Sequence, residues 1–427
     1  MTTIISSLTT AQIAGLSTTR IAALTTEDWN AFSSAQMAAL SATQAPYIST
    51  AGLRVLSSLQ FNSLGTAQMG ALTGTQSAAL TSAQTEHMTT DDLQALSTGA
   101  IKSLTSDALG AWGTQQFGAL KTSQVAALTT AQVATLSTDD LNALTTDHFS
   151  ILSSAQAKAL TSAQVTAMAT DDLAALSTTN VRLLSTASIA GLGTGQFNAL
   201  TSAQVAALTS VQAAAITSTQ VDAMSTDDVQ ALGATNVKML STASVALLDS
   251  AQFNALTTAQ FAALTTAQAA AFTSAQTATM ASDDLQALTT AAVKVLSTDA
   301  LAGMTSAQIS NFTTTQVKAL TAGQIASLDS GDLNALTSDQ FAVFSSAQAA
   351  ALTSAQIDTM TTDDLVALGS ANVKTFSTAS VALLDSAQFN ALTTSQFAAF
   401  TTAQAAAITS AQTATMATDD LQALTTA

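Results

Sequence analysis

Seven times along this 427-residue chain two aspartates stand side by side: Asp91 and Asp92, Asp139 and Asp140, Asp171 and Asp172, Asp227 and Asp228, Asp283 and Asp284, Asp363 and Asp364, Asp419 and Asp420. Carboxylate oxygens are hard ligands, so paired aspartates suggest a calcium-type site or a surface for a charged partner. Their neighbours recur with them. Met88, Met168, Met224, Met280, Met360 and Met416 each stand three residues before a pair. A basic residue follows the second aspartate by ten residues in five cases, at Lys102, Arg182, Lys238, Lys294 and Lys374. Calcium loops, however, space their ligands as D-x-D-x-D-G or lie in glycine-rich nonapeptides, and neither pattern occurs.

Other reactive side chains are sparse. His87 and His148 are isolated, and no G-x-S-x-G, Walker loop or H-E-x-x-H is present. The absence of cysteine excludes disulfides and thiolate metal sites. A net charge of −17 with only ten basic residues excludes the basic patch that nucleic acid requires. Asn311, Phe312 and Thr313 fit a glycosylation sequon, a weak signal in so threonine-rich a chain. We assign no catalytic, cofactor-binding or metal-ligating residue, and the expected class is non-enzymatic.

The elements that carry these residues are set by a strict eight-residue period. Every eighth residue from Leu8 to Leu424 is Leu, Met, Phe, Ile or Trp, through 53 octads without insertion or deletion. The octad 201–208, T-S-A-Q-V-A-A-L, is typical. Position 1 is mostly Ser or Thr, position 4 is Gln in 30 octads and Asp in nine, position 5 is usually apolar and position 8 always. Ser or Thr followed three residues later by Gln is a capping box, and apolar residues at N′ and N4 form a hydrophobic staple. Each octad thus carries a complete helix-start signal, with about two helical turns over positions 2 to 8.

One long helix is disfavoured, because eight residues are about 2.2 turns and the apolar stripe would drift by roughly 80° per octad. A β-solenoid is the stronger rival, given the Thr and Val content. Apolar positions three apart, however, would lie on opposite faces of a strand. One octad buries too little apolar surface to offset its ordering entropy, so neighbours must stack. The prediction is an all-α solenoid of very short capped helices, one per octad, filling residues 1–427 with no separate globular domain. Leu, Met and Phe are expected inside, and Ser, Thr and Gln outside. Alanine at position 7 should let backbones approach.

In this frame both aspartates of a pair fall at N2 and N3, where the helix dipole favours negative charge. The basic residue falls in the next octad, where stacking is expected to bring it alongside. Trp29 and Trp112 occupy apolar positions and read as core. Pro46, at position 6, should make its octad and the next one, 49–56, irregular. Residues 225–288 and 361–424 are near copies 136 residues apart, so duplication has proceeded by whole octads. No run of about 18 apolar residues predicts a transmembrane segment. The opening MTTIISSLTTAQIAGL lacks the features of a cleavable signal peptide.

The L-T-T-A-Q-V-A-A pattern resembles the Ala/Thr/Gln-rich octad arrays of large secreted or surface proteins of Proteobacteria, some of RTX-adhesin or haem-utilisation type. It covers essentially the whole chain and implies an extracellular or cell-surface bacterial protein. The first expectation for function is a structural subunit of an extracellular filament or surface layer, self-associating by end-to-end stacking of solenoids whose ends are ordinary octads. The alternatives are a repeat stalk of a large secreted adhesin, and ice or mineral-surface binding by rows of Ser and Thr. No cofactor is expected.

Overall fold

A computed structural model describes residues 3–424; Met1, Thr2 and the partial octad 425–427 lie outside the described residues. Among the described residues there are 51 α-helices of four to seven residues, two 3₁₀ turns and no strand. Each octad supplies one of these elements. The two compact units, Met1–Ala215 and Ile216–Ala427, follow the same plan.

The local reason is visible in the helix Ser202–Ala207. Its N-cap Thr201 is extended (φ −69°, ψ 152°) and accepts from the Gln204 amide, while Gln204 accepts from the Thr201 amide. Helix runs over positions 2 to 7 here, or only to 5 or 6 elsewhere, and reaches position 8, as the sequence suggested, only in Thr418–Leu424 among the described residues. Leu208 is already non-helical, with ψ 138°. Within octad 201–208, positions 4, 5 and 8 are buried, position 7 is half-buried, and positions 1, 2, 3 and 6 are exposed. This corrects one expectation: Leu and Phe are inside, but so is Gln.

Within each unit a helix packs on the third helix before it and the third after it, as Thr146–Ser150 does on Thr170–Ala175 and Ser354–Asp358 on Thr378–Leu383. One circuit of the solenoid therefore takes a little over three octads. The close approach expected at position 7 is sharpest at Gly303, where a Cβ would stand 2.5 Å from the Ser274 carbonyl oxygen. Trp29 and Trp112 are core residues, 0% and 3% exposed. Trp29 fits because Gly52, three octads on, has no side chain; a Cβ there would lie 2.4 Å from the indole.

Pro46 opens the 3₁₀ turn Ala45–Tyr47, the expected irregularity. Its neighbour is regular: Thr50–Val55 is a six-residue helix capped by Ser49. The irregularities that sequence reading missed lie at Gly233 and Gly369, whose φ values are +67° and +72°. There the helices Thr226–Ala231 and Gly233–Val237, and likewise Thr362–Ala367 and Gly369–Val373, adjoin through a single residue. Leu232 and Leu368 between them stay in the right-handed helical region and offer no side-chain cap. Glycine takes the left-handed turn at little steric cost.

Candidate functional site

The most regular chemistry in the molecule belongs to the position-4 amide. Gln204 uses Oε1 to accept from the backbone N–H of Thr201 at 2.7 Å. Its Nε2 donates to the carbonyls of Leu173, at 3.0 Å, and Leu176, at 2.6 Å, in the octad four places earlier. Gln356 repeats this in the second unit, with Thr353 N–H at 2.8 Å, the Ile325 carbonyl at 2.9 Å and the Leu328 carbonyl at 2.8 Å. A short helix leaves amides unpaired at its start and carbonyls unpaired at its end. One glutamine serves both: it closes the start of its own helix and the end of a helix in the coil below. The result is a ladder of buried amides between successive coils, with glutamines such as Gln84, Gln124 and Gln260 at most 1% exposed.

The other residues found at position 4 sort by what they can donate. His148 reproduces both halves of the glutamine: Nδ1 faces the Thr145 N–H at 3.1 Å and Nε2 faces the Leu120 carbonyl at 3.0 Å. Both contacts together require the neutral tautomer protonated on Nε2. Burial holds its pKa below the ordinary histidine value, against the Leu120 hydrogen bond and the Asp147 charge. Asn180 and Asn372 are one carbon shorter. Each donates to a single carbonyl 28 residues back, Leu152 and Phe344, at 2.8 Å. Aspartate can accept at the cap, as Asp140 does from Ser137, but has no proton to offer the coil below while ionised.

The aspartate pairs are placed in the first helical turn as the sequence indicated. Five of the seven second members are buried, Asp92, Asp172, Asp284 and Asp364 among them at 4–8% exposed, whereas Asp140 and Asp420 are half-buried. The expected basic partners are not beside them. Among the described residues Lys102, Arg182, Lys294 and Lys374 form no ion pair within 4 Å, because position 6 points to solvent while the second aspartate points inward. Sequence reading missed what does recur with the aspartates. Asn62, Asn142, Asn198, Asn254, Asn334 and Asn390, all at position 6, stand 30 residues before Asp92, Asp172, Asp228, Asp284, Asp364 and Asp420. Asn142 donates to the Ala167 carbonyl and Asn334 to the Thr359 carbonyl, both at 2.8 Å, closing the end of the helix just before the aspartate octad. A position-6 amide of the coil below thus accompanies the position-4 aspartate, closing a different carbonyl from the one a position-4 amide reaches. A search for covariation at that spacing would have found it.

The model of the ALTTAQ repeat matches residues 46–82, 85–122, 109–138, 133–170, 165–202, 193–226, 221–258, 277–314, 325–362 and 357–394. The chain belongs to the ALTTAQ repeat family. In the ALTTAQ octads the name spells the ladder's parts: the apolar residue at position 8, the capping Thr at position 1 and the Gln at position 4. No curated protein and no solved structure matches the chain.

Beyond the ladder, the ALTTAQ array offers little reactive geometry. His87, which the sequence left isolated, lies 4.0 Å from its exposed neighbour Glu86. Both line a shallow cleft of about 590 Å³ together with Trp112 and Gln115. The Trp112 indole N–H is sealed off without a partner and does not reach that cleft. Among the described residues no three His, Asp or Glu side chains gather as metal ligands. No helix is long and apolar enough to cross a membrane.

Proposed function

We propose that this ALTTAQ array is a non-enzymatic structural protein of the bacterial cell exterior, a subunit that builds a filament or surface layer by stacking coil on coil. The observation that carries this reading is the polarity of the ladder. Each coil presents amide donors on one face and helix-end carbonyls on the other, as Gln204 and the Leu176 carbonyl do. Any coil therefore fits a coil of another copy as it fits its own neighbour, and such a head-to-tail contact propagates. The cell-exterior location rests on the resemblance to secreted and surface octad arrays.

Ice or mineral binding is less well supported, because many position-1 hydroxyls are engaged as caps, Thr201 among them, which both accepts from and donates to Gln204. The test is electron microscopy of the purified chain at rising concentration. Filaments or sheets are expected. Dispersed particles at high concentration would overturn the assembly reading and favour the stalk of an adhesin.

A further inference from the structure

One joint in the ladder has acceptors on both sides. Asp172 occupies the glutamine position of octad 169–176 and is 7% exposed. Ala169 at its N-cap brings no hydroxyl, unlike Thr89 before Asp92 or Thr361 before Asp364. Among the described residues no hydrogen bond reaches its carboxyl group. The residue 28 back in register is Leu144, whose backbone carbonyl receives no side-chain amide among the described residues.

Asparagine shows what a neutral group of this shape does at the same register. Asn180 and Asn372 reach the carbonyl 28 residues back at 2.8 Å. A protonated aspartate has the outline of asparagine and carries an O–H donor. We propose that the joint between octads 169–176 and 137–144 is a proton-operated clasp. It is loose when Asp172 is ionised, and it closes when a solvent proton binds the carboxylate and the new O–H donates to the Leu144 carbonyl.

The surrounding charges favour proton uptake. The helix Thr170–Ala175 carries Asp171 beside Asp172; the helix Thr146–Ser150, packed on it, carries Asp147 and His148; the helix Thr194–Asn198 carries no titratable group; and the helix Thr138–Asn142 below carries Asp139 and Asp140. Burial lowers the His148 pKa, and none of these four helices carries a lysine or arginine to offset the carboxylates. Burial first, and the Asp171 charge second, push the Asp172 pKa up to about 6. A carboxyl pKa raised by folding means that the folded chain binds the proton more tightly than the unfolded one. Stability is then gained as pH falls from above about 6 and is complete below the ordinary carboxylate value.

Hydrogen exchange of the full-length chain, corrected for intrinsic rates, tests the clasp through amides of octads 137–144 and 169–176. Between pH 7.5 and 5.0 their protection should rise by up to about tenfold. Asp172→Asn should show the protected state already at pH 7.5 and no further rise, whereas Asp171→Asn should keep the rise. An equal rise in Asp172→Asn, or none in the wild type, overturns the clasp. The carboxyl ¹³C titration of Asp172 in the unmodified chain is an independent readout, and a midpoint in the ordinary aspartate range would overturn the clasp without any variant.

Discussion

A side-chain amide is the smallest group that can accept in one direction and donate twice in another, and the position-4 residues show how much depends on that. Gln260 is fully buried, accepts from Thr257 and donates to the Val229 carbonyl at 2.8 Å. Gln260→Glu keeps the size and the cap acceptor but points a carboxylate at that carbonyl. The substitution should cost about 3 kcal/mol near neutral pH, the penalty of a buried unpaired charged group. Protonation restores a donor, so most of the loss should return in mild acid; local hydrogen exchange across octads 225–232 and 257–264 measures both effects. Equal protection in the two chains at neutral pH would show that the ladder carries no load. The global unfolding curve is a poorer measure, because repeat arrays open in parts.

At the scale of the element, the capping box and staple were readable from spacing alone, because both are local and lie within one octad. The exchange between octads was not. The Gln36 side chain reaches the carbonyls of Ile5 and Leu8, 31 and 28 residues away, and the second half of an amide's bonding leaves no mark inside a single repeat. A residue that is polar and locally satisfied therefore reads as surface, which is why the glutamines were assigned outside. The basic residues were misplaced for a related reason: adjacency in octad number was read as adjacency in space, whereas a helix meets its third neighbour. The glycine turns escaped because Gly233 and Gly369 stand at position 1, where other octads also carry glycine without positive φ, as Gly193 does. Gly233→Ala and Gly369→Ala should each destabilise by about 1–2 kcal/mol through backbone strain alone, since no atom lies within 4 Å of the added Cβ. Gly323→Ala, inside the helix Ala322–Ser327 and equally open, should stabilise by up to about 1 kcal/mol. Local protection from exchange separates the two cases, and the same sign at all three sites would remove the strain argument.

At the scale of the whole molecule, the octad is the unit of permitted change. Removing residues 257–264 leaves every helix start in place, and each remaining amide meets the carbonyls of a different but equivalent octad. Removing 257–260 alone places position 1 of the array out of phase with position 8. The eight-residue deletion should keep the helical circular dichroism and protease resistance of the parent. The four-residue deletion should lose both around the cut, and equal tolerance of the two would refute a register-locked array. The aspartate octads add a longer rhythm. At Asp92, Ala100 and Ala108, and again at Asp284, Ala292 and Ala300, three successive octads lack the position-4 amide. Thr85 and Thr277 compensate only in part, donating to the Ala108 and Ala300 carbonyls at 2.6 and 2.7 Å. Three octads are nearly a full circuit, so each such stretch removes almost the whole set of position-4 amides between one coil and the next, leaving position-6 donors such as Asn62. Under tension these circuits are the seams. A chain drawn out by its ends would yield there first, releasing in each event one coil of about 25 residues and roughly 80 Å of slack, while the amide-rich coils on either side hold their form and give the loose coil a template on which to rewind.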